Sequence, residues 1–132
     1  SGNAACIDAV LKVKSNMDSG MFYGIQKGAI AALQSDASWF DEMNAIYAKR
    51  RILTEELAEK LGCEVYKEGV GLFVWAKLPA GITSAEDFID KILYEKYIFI
   101  TPGTIFGSNG EGYIRFALCV KEEKIEEAIR RF

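Results

Sequence analysis

The hydrophobic period of this sequence changes at Gly62, and that change constrains the fold more than any other feature. In residues 39–61, apolar side chains recur every three or four positions, as they do along one face of a helix. The segment 72–78 (LFVWAKL) is instead a run of strand-forming residues, and Pro79 ends it. The sequence therefore predicts a mixed α/β chain in which a long helix precedes the strands.

The other elements are predicted from the same two patterns. Ser84, with Asp87 three positions later, resembles a capping box before a helix. The segment 68–71 (EGVG) has the composition of a turn between two antiparallel strands. The predicted helices start near Ser19, extend from Asp36 or Ser38 to Gly62, follow Ser84 and cover 122–132, and the predicted strands are 63–67, 72–78, 97–101 and 113–118.

The order of these elements predicts the fold class. Two helices, two strands, one helix, two strands and a last helix are typical of an α/β (α+β) two-layer sandwich, with a small, mostly antiparallel sheet of about four strands and helices on one face. The helix near Ser19 has few clear partners in such a sandwich. We therefore expect residues 1–35 to be a segment and helix that bridge to a further domain, and residues 36–132 to be the sandwich itself.

Composition and charge argue against several functions. Half of the 132 residues are apolar and the net charge is −3, with both signs interspersed, which argues against nucleic acid or an anionic membrane as a partner. The chain has three cysteines, no CxxC pair and no histidine, so we expect neither a metal site nor a Cys-His or Ser-His nucleophile. We interpret Cys6, Cys63 and Cys119 as reduced thiols.

The same composition predicts where the protein resides. No apolar run approaches the roughly 20 residues that a helix needs to cross a bilayer, and the start lacks the layout of a secretion signal. We therefore expect a cytoplasmic protein. Because the chain starts without methionine, we also expect it to be part of a longer protein.

Arg115 is the residue most indicative of function, because it stands inside a strand that is otherwise apolar. A guanidinium in such a place must meet an anion or reach water, since an unpaired buried charge is costly. Its planar fork matches a carboxylate with two parallel hydrogen bonds, which suits an amino-acid or keto-acid ligand. The alternative is an arginine on an edge strand that extends its head into water.

The loop before Arg115 and the remaining polar groups are less specific. Residues 102–112 place four glycines around the aromatic residue Phe106, without the spacing of a phosphate-binding loop, and a simple turn between strands also explains them. The paired carboxylates lie on polar helix faces beside lysines and arginines, so acid–base catalysis is not predicted from them. The polar segment 14–20 is interpreted as a capping cluster for the helix near Ser19, or as a surface that meets a partner subunit or ligand.

Four segments together resemble a known family. They read KSNMDSGMF, VGLFVWAKLP, ITPGTIFGSNGEGYIRFAL and EEAIRRF, and the chain from about Lys12 onward is similar to the C-terminal part of the class I/II aminotransferases, which are fold-type I pyridoxal-phosphate enzymes. The resemblance implies that Arg115 binds the α-carboxylate of the substrate. It implies that Gly71 and Phe106 belong to the small-domain segments that close over the substrate, and, more weakly, that Ser15 and Asn16 approach the active site.

The resemblance also implies what the chain lacks. In this family the Schiff-base lysine and the residues that bind pyridoxal phosphate belong to an upstream large domain, so no catalytic or cofactor-binding residue is assigned here and the isolated chain is expected to be inactive. The full-length protein is expected to bind pyridoxal 5'-phosphate, to act on an amino acid and a 2-oxo acid, and to form a homodimer. Two alternatives remain: a regulatory α/β domain that binds a small ligand, and a pyridoxal-phosphate-dependent β-lyase or decarboxylase of the same fold.

Overall fold

A computed structural model describes residues 2–132, and their contacts define two units, residues 2–40 and Asp41–Phe132. The first unit contains helices α1 (Ala4–Met17) and α2 (Tyr23–Leu33) and the start of α3 (Ala37–Lys60). No residue of α1 or α2 is buried within the described part of the chain, and Leu33 is 87% exposed. The apolar side chains of these two helices therefore form an uncovered surface in this unit.

Helix α1 was not predicted from the sequence. The Asn3 side chain caps it by accepting hydrogen bonds from the backbone N–H groups of Ala5 and Cys6, at 3.0 and 3.3 Å. The polar segment that we interpreted as a cap for the next helix instead contains the last turn of α1. There, Ser15 Oγ and Asn16 Nδ2 both donate to the carbonyl oxygen of Lys12, so the capping interpretation is wrong.

Helix α2 begins later than the predicted start near Ser19. Its first residue is Tyr23, and its N-cap residue, Phe22, makes no side-chain capping bond. Gly20 lies between α1 and α2, and its φ of +131° is not a helical conformation. The apolar period in residues 21–33 therefore identified the helix correctly but not its first turn.

The second unit is the predicted two-layer sandwich. After α3 come β1 (Glu64–Val65), β2 (Phe73–Lys77), α4 (Ala85–Lys96), β3 (Thr101–Pro102), β4 (Tyr113–Ala117) and α5 (Glu122–Arg130). The four strands form one sheet in the order β1-β2-β4-β3, and every neighbouring pair is antiparallel. The predicted fold class is confirmed.

The two faces of the sheet differ in burial. Side chains alternate along β2 and β4, and Val74, Ala76, Ile114 and Phe116 lie on the buried face. The core that covers this face comes from α3, α4 and α5, through Leu57, Ala58, Ala85, Ile89, Ile92, Ile125 and Ile129. The opposite face of the sheet carries no helix of this unit and holds the side chains described below.

Strand β3 begins at Thr101 rather than at Tyr97 as predicted, and a local cause applies at Tyr97. Tyr97 adopts the left-handed conformation (φ 56°) as the C-cap residue of α4, and its N–H donates to the carbonyl of Leu93. Because Tyr97 terminates the helix, it cannot also begin a strand. Pairing with β4 starts only at Thr101.

The described residues contain neither a membrane-spanning helix nor a cluster of metal ligands. No helix in residues 2–132 is both long and apolar enough to span a membrane. Within the same range, no cluster of three or more histidine, cysteine, aspartate or glutamate side chains could hold a metal ion.

Candidate carboxylate-binding site

Arg115 lies at the centre of the sheet. On β4 it is opposite Trp75 of β2 on one side and Thr101 of β3 on the other. The strand that carries it is therefore an interior strand, so the alternative of an edge-strand arginine does not describe this chain. By the alternation along β4, its side chain projects to the face that the helices leave open.

Two phenylalanine rings lie against the Arg115 guanidinium. The guanidinium carbon lies 4.1 Å from the centroid of the Phe73 ring and 3.9 Å from that of the Phe106 ring. Stacking of this kind is attractive, because the ring faces are electron-rich and guanidinium is more weakly hydrated than an ammonium group. It also fixes the plane of the guanidinium.

The edge of the guanidinium stays available. Within residues 2–132, the Arg115 side chain makes no ion pair, and none of its nitrogen atoms is both buried and without a hydrogen-bond partner. The N–H bonds of a guanidinium lie in its plane and can be donated in pairs to one carboxylate. Arg115 is therefore poised to receive a planar anion such as a carboxylate.

Trp75 and Tyr113 extend the aromatic surface around Arg115. The Trp75 and Phe106 rings meet edge to face, with centroids 5.4 Å apart and planes at 73°, and the Tyr113 ring lies 6.5 Å from Trp75. We call Phe73, Trp75, Phe106 and Tyr113 the aromatic cluster. Each of its members is about two-fifths exposed, so they form walls of an open surface rather than a buried core.

A close contact between two glycines shapes the loop that carries Phe106. The loop contains two short 3-10 turns, Gly103–Phe106 and Ser108–Gly110. A Cβ atom on Gly103 would overlap the carbonyl oxygen of Gly110, and one on Gly110 would overlap that of Gly103. Glycine at these two positions therefore allows the two turns to pass within contact distance of each other.

Side-chain hydrogen bonds anchor this loop to the first turn of α4. Thr104 Oγ1 donates to Glu86 Oε1 at 3.0 Å, and Glu111 Oε1 accepts from the backbone N–H of Ala85 at 3.1 Å. The second bond also satisfies a free donor at the helix N-terminus. Phe106 is thus presented to Arg115 by a loop that is held at both ends.

Of the three residues proposed from the sequence, the structure brings Phe106 into contact with Arg115, and Gly71 makes a different contact. Gly71 lies just before β2, with φ of +87° and open space where a Cβ would be. Its carbonyl oxygen accepts a hydrogen bond from Arg51 at 2.9 Å. Ser15 and Asn16 belong to α1 in the first unit.

Sequence reasoning missed the other aromatic members, although a signal for them was present. Phe73 and Trp75 have the same parity on β2, and Tyr113 is two positions before Arg115 on β4. The sequence did not show that β2 pairs with β4, a pairing that places Trp75 opposite Arg115. Without that register, the sequence does not show that the aromatic residues of β2 lie beside Tyr113 and Arg115 of β4.

Comparison with known proteins gives a consistent set of relatives. The family model described as "Aminotransferase class I and II" matches residues 1–132. An LL-diaminopimelate aminotransferase of Oleidesulfovibrio alaskensis is 42% identical over 130 residues, which are 98% of this chain and 33% of that protein, and one of Aquifex aeolicus is 38% identical over the same shares. The solved structure of an aminotransferase from Staphylococcus aureus matches with a TM-score of 0.80 at 32% identity, over 98% of this chain and 34% of that one. The chain therefore spans about a third of the length of these relatives.

Proposed function

Because the chain belongs to the class I and II aminotransferase family, we propose that Arg115 binds the α-carboxylate of the substrate in an enzyme that transfers an amino group between an amino acid and a 2-oxo acid. The observation that supports this proposal is the set of contacts around the Arg115 guanidinium. The ring centroids of Phe73 and Phe106 lie 4.1 and 3.9 Å from its central carbon, and it forms no ion pair with an acidic side chain of the described residues.

The proposed contribution of this site is orientation. A guanidinium that is fixed in one plane can hold a carboxylate through two parallel hydrogen bonds, which fixes the direction of the substrate's Cα–H bond. The aromatic cluster lines the approach to the carboxylate and keeps water away from the ion pair when the substrate is bound. An ion pair in a drier environment is stronger, because the effective dielectric constant is lower.

The family implies pyridoxal 5'-phosphate as cofactor, which when bound supplies the electron sink for chemistry at the α-carbon. The residues around Arg115 fit the substrate rather than this cofactor. The rings that contact Arg115 or one another, those of the aromatic cluster, carry no amine that could attach the cofactor covalently. We therefore propose that the cofactor is held by the part of the protein outside residues 1–132.

The named relatives also suggest a substrate. Several LL-diaminopimelate aminotransferases align with 98% of the chain, so LL-diaminopimelate is the first amino donor to test. Like every α-amino acid, it presents the carboxylate that Arg115 would bind. The distant α-amino acid group of such a donor would have to be recognised by other residues.

The proposal extends to assembly and location. The uncovered apolar surface of α1 and α2 supports burial against the rest of the protein or against a second subunit, and we propose a homodimer. Cys6, Cys63 and Cys119 are all free thiols, which is consistent with a reducing compartment, and we propose the cytoplasm.

The test is Arg115→Ala in the full-length protein, assayed against a panel of amino donors that starts with LL-diaminopimelate. We expect kcat/KM to fall by roughly one to two orders of magnitude for every donor, because a charge-assisted hydrogen bond of this kind is worth about 1.5–3 kcal/mol. Pyridoxal-phosphate affinity, followed by the cofactor's absorbance, should not change. A matched control is Arg130→Ala, because Arg130 is an exposed arginine of α5 that, within residues 2–132, pairs only with Glu127.

The opposite pattern would overturn the assignment. If Arg115→Ala lost pyridoxal phosphate but kept its affinity for amino donors, Arg115 would be a cofactor residue. If no donor converted the cofactor to its amine form in the unmodified protein, the proposed reaction would be wrong whatever Arg115 binds.

A further inference from the structure

Two adjacent arginines of α3 each reach the end of a strand. Arg50 donates to Glu122 Oε1 at 2.8 Å and to the carbonyl of Leu118, just beyond β4, at 3.2 Å. Arg51 donates to the carbonyl oxygens of Gly71 at 2.9 Å and Phe73 at 3.3 Å, both through Nη2. The proposed function uses β2 and β4 but assigns no role to either of these arginines.

The Arg51 guanidinium is itself held in place. Its Nη1 lies 3.9 Å from Glu55 Oε1, one helical turn further along α3, and both side chains are only about 15% exposed. Glu55 Oε1 is the one buried side-chain oxygen or nitrogen in residues 2–132 that has no hydrogen-bond partner. A buried carboxylate oxygen without a hydrogen bond relies on the nearest cation for compensation, so Glu55 and Arg51 depend on each other.

The segment that Arg51 contacts is held by few other hydrogen bonds, chiefly the one that the Leu72 carbonyl oxygen accepts from the Leu118 N–H at 2.9 Å. Gly69 and Gly71 stand within it, Gly71 has φ of +87°, and the Val70 side chain between them is 93% exposed. Glycines give this segment wide conformational freedom. The regular strand starts only at Phe73, whose ladder partner on β4 is Ala117.

Phe73 links the hydrogen bonds from Arg51 to the carboxylate-binding site. Its carbonyl oxygen accepts from Arg51, and its ring stacks on the Arg115 guanidinium at 4.1 Å. A backbone held at Phe73 restricts the direction in which the ring can point, since rotamers depend on backbone conformation. A continuous series of contacts therefore extends from Glu55 through Arg51 and Phe73 to Arg115.

We propose that Arg51 is a positioning residue for the carboxylate-binding site: by holding the carbonyls of Gly71 and Phe73, it keeps the Phe73 ring on the Arg115 guanidinium and so maintains the plane in which Arg115 meets a carboxylate. This inference rests on the proposed function of Arg115. Arg51 touches neither the substrate nor the cofactor in this scheme and acts only through Phe73.

The experiment compares four variants of the full-length protein: Arg51→Gln, Arg51→Lys, Arg50→Gln and Arg115→Gln. The readouts are KM and kcat for the best amino donor of the panel, pyridoxal-phosphate affinity and the melting temperature. Arg50→Gln is the matched control. It removes an equally placed arginine of the same helix that also holds a strand end, but one that contacts no residue of the aromatic cluster.

We expect Arg51→Gln to raise KM for the donor by roughly three- to tenfold, which is the size of effect typical of residues that act through a neighbour. Arg50→Gln should lower the melting temperature comparably and leave KM near that of the unmodified protein. Arg51→Lys should recover most of the KM, because an ammonium group can still donate to the two carbonyl oxygens that Nη2 now holds. Pyridoxal-phosphate affinity should be the same in all four variants.

Other outcomes would overturn the inference. If Arg50→Gln and Arg51→Gln raised KM equally, Arg51 would have only a structural role. If Arg51→Gln left KM unchanged while Arg115→Gln raised it, the positioning role would be wrong and the function of Arg115 would stand. If Arg115→Gln itself had no effect on KM, the proposed function would fail first. Should Arg51→Gln fail to fold, Phe73→Leu tests the same contact: a KM equal to that of the unmodified protein would overturn the inference, because Arg51 acts only through the Phe73 ring.

Discussion

The ring of Phe106 covers one face of the Arg115 guanidinium, with 3.9 Å between the guanidinium carbon and the ring centroid. This contact joins the glycine-rich loop to the central strand of the sheet. It makes the orientation of the guanidinium depend on a residue that is 47% exposed and packs on little else besides the edge of Trp75. The contact can therefore be removed with little damage to the core.

Phe106→Leu in the full-length protein should raise KM for amino donors. An exposed cation–π stack is worth about 0.5–1 kcal/mol, which corresponds to a factor of roughly two to five. Phe106→Tyr keeps a ring over the guanidinium and should behave like the unmodified protein. Steady-state kinetics with one amino donor measures both variants, and equal KM values for Leu and Tyr would show that the stack does not contribute.

Gly103→Ala and Gly110→Ala should each destabilise the chain by about 1–3 kcal/mol, because the added methyl group meets the backbone carbonyl of the opposite glycine and neither can move freely. Gly28→Ala is the matched control. Its Cβ would meet no atom within 4 Å, and it lies inside α2, where alanine is the better helix former. Denaturant unfolding gives the three free energies of unfolding, and a loss for Gly28→Ala as large as for Gly103→Ala would contradict the steric explanation.

Cys63 should resist thiol reagents that label the other two cysteines. Burial raises the pKa of the Cys63 thiol from 9.0 to about 11, whereas Cys6 and Cys119 are exposed. At about pH 8 we expect two thiols of the folded chain to react rapidly and the third to react only on unfolding, since the thiolate is the reactive form. Rapid labelling of all three thiols would show that Cys63 is accessible.

The same pKa predicts an alkaline loss of stability. Because the folded-state pKa lies above the unfolded value, the folded state holds this proton more tightly, and the contribution is complete below pH 9.0 and lost as the pH rises through about 11. Cys63→Ala removes this titration. Its melting temperature, although lower at neutral pH, should therefore fall less steeply over that window than that of the unmodified chain.

Glu122 should stabilise the chain in a pH-dependent way. The backbone N–H at the start of α5 and then the hydrogen bond from Arg50 lower the pKa of the Glu122 carboxyl below 4.5. A lowered folded-state pKa means that the contribution is present above pH 4.5 and is lost as the pH falls through the folded-state value.

Glu122→Gln should therefore lower the melting temperature at neutral pH, and the difference from the unmodified chain should close in acid. Glu123→Gln is the matched control, because Glu123 lies in the same helical turn but is exposed and, within the described residues, forms no ion pair. Thermal unfolding across the acid range measures both. A difference between Glu122→Gln and the unmodified chain that persisted unchanged below pH 4.5 would rule out the ion pair as its source.

Local pattern predicted the long helix α3, the Ser84 cap of α4 and the strand character of β2 and β4, and the structure confirms each of them. The predictions that were wrong concern α1 and the residue Tyr97. Helix α1, which has no buried residue, was not predicted. At Tyr97, strand-forming composition was overridden by the left-handed C-cap of α4.

Local patterns were enough to predict which residues prefer helix or strand, which face of each strand is apolar, that one arginine stands in an apolar strand, and, from the motifs, the family to which the chain belongs. They did not predict that β2 lies beside β4, that the Phe73 and Phe106 rings contact Arg115, or that Arg51 holds the start of β2. Propensity and period act over only a few neighbouring residues. The choice of a partner strand depends instead on which arrangement buries the most apolar surface across the whole unit, and no short segment carries that information.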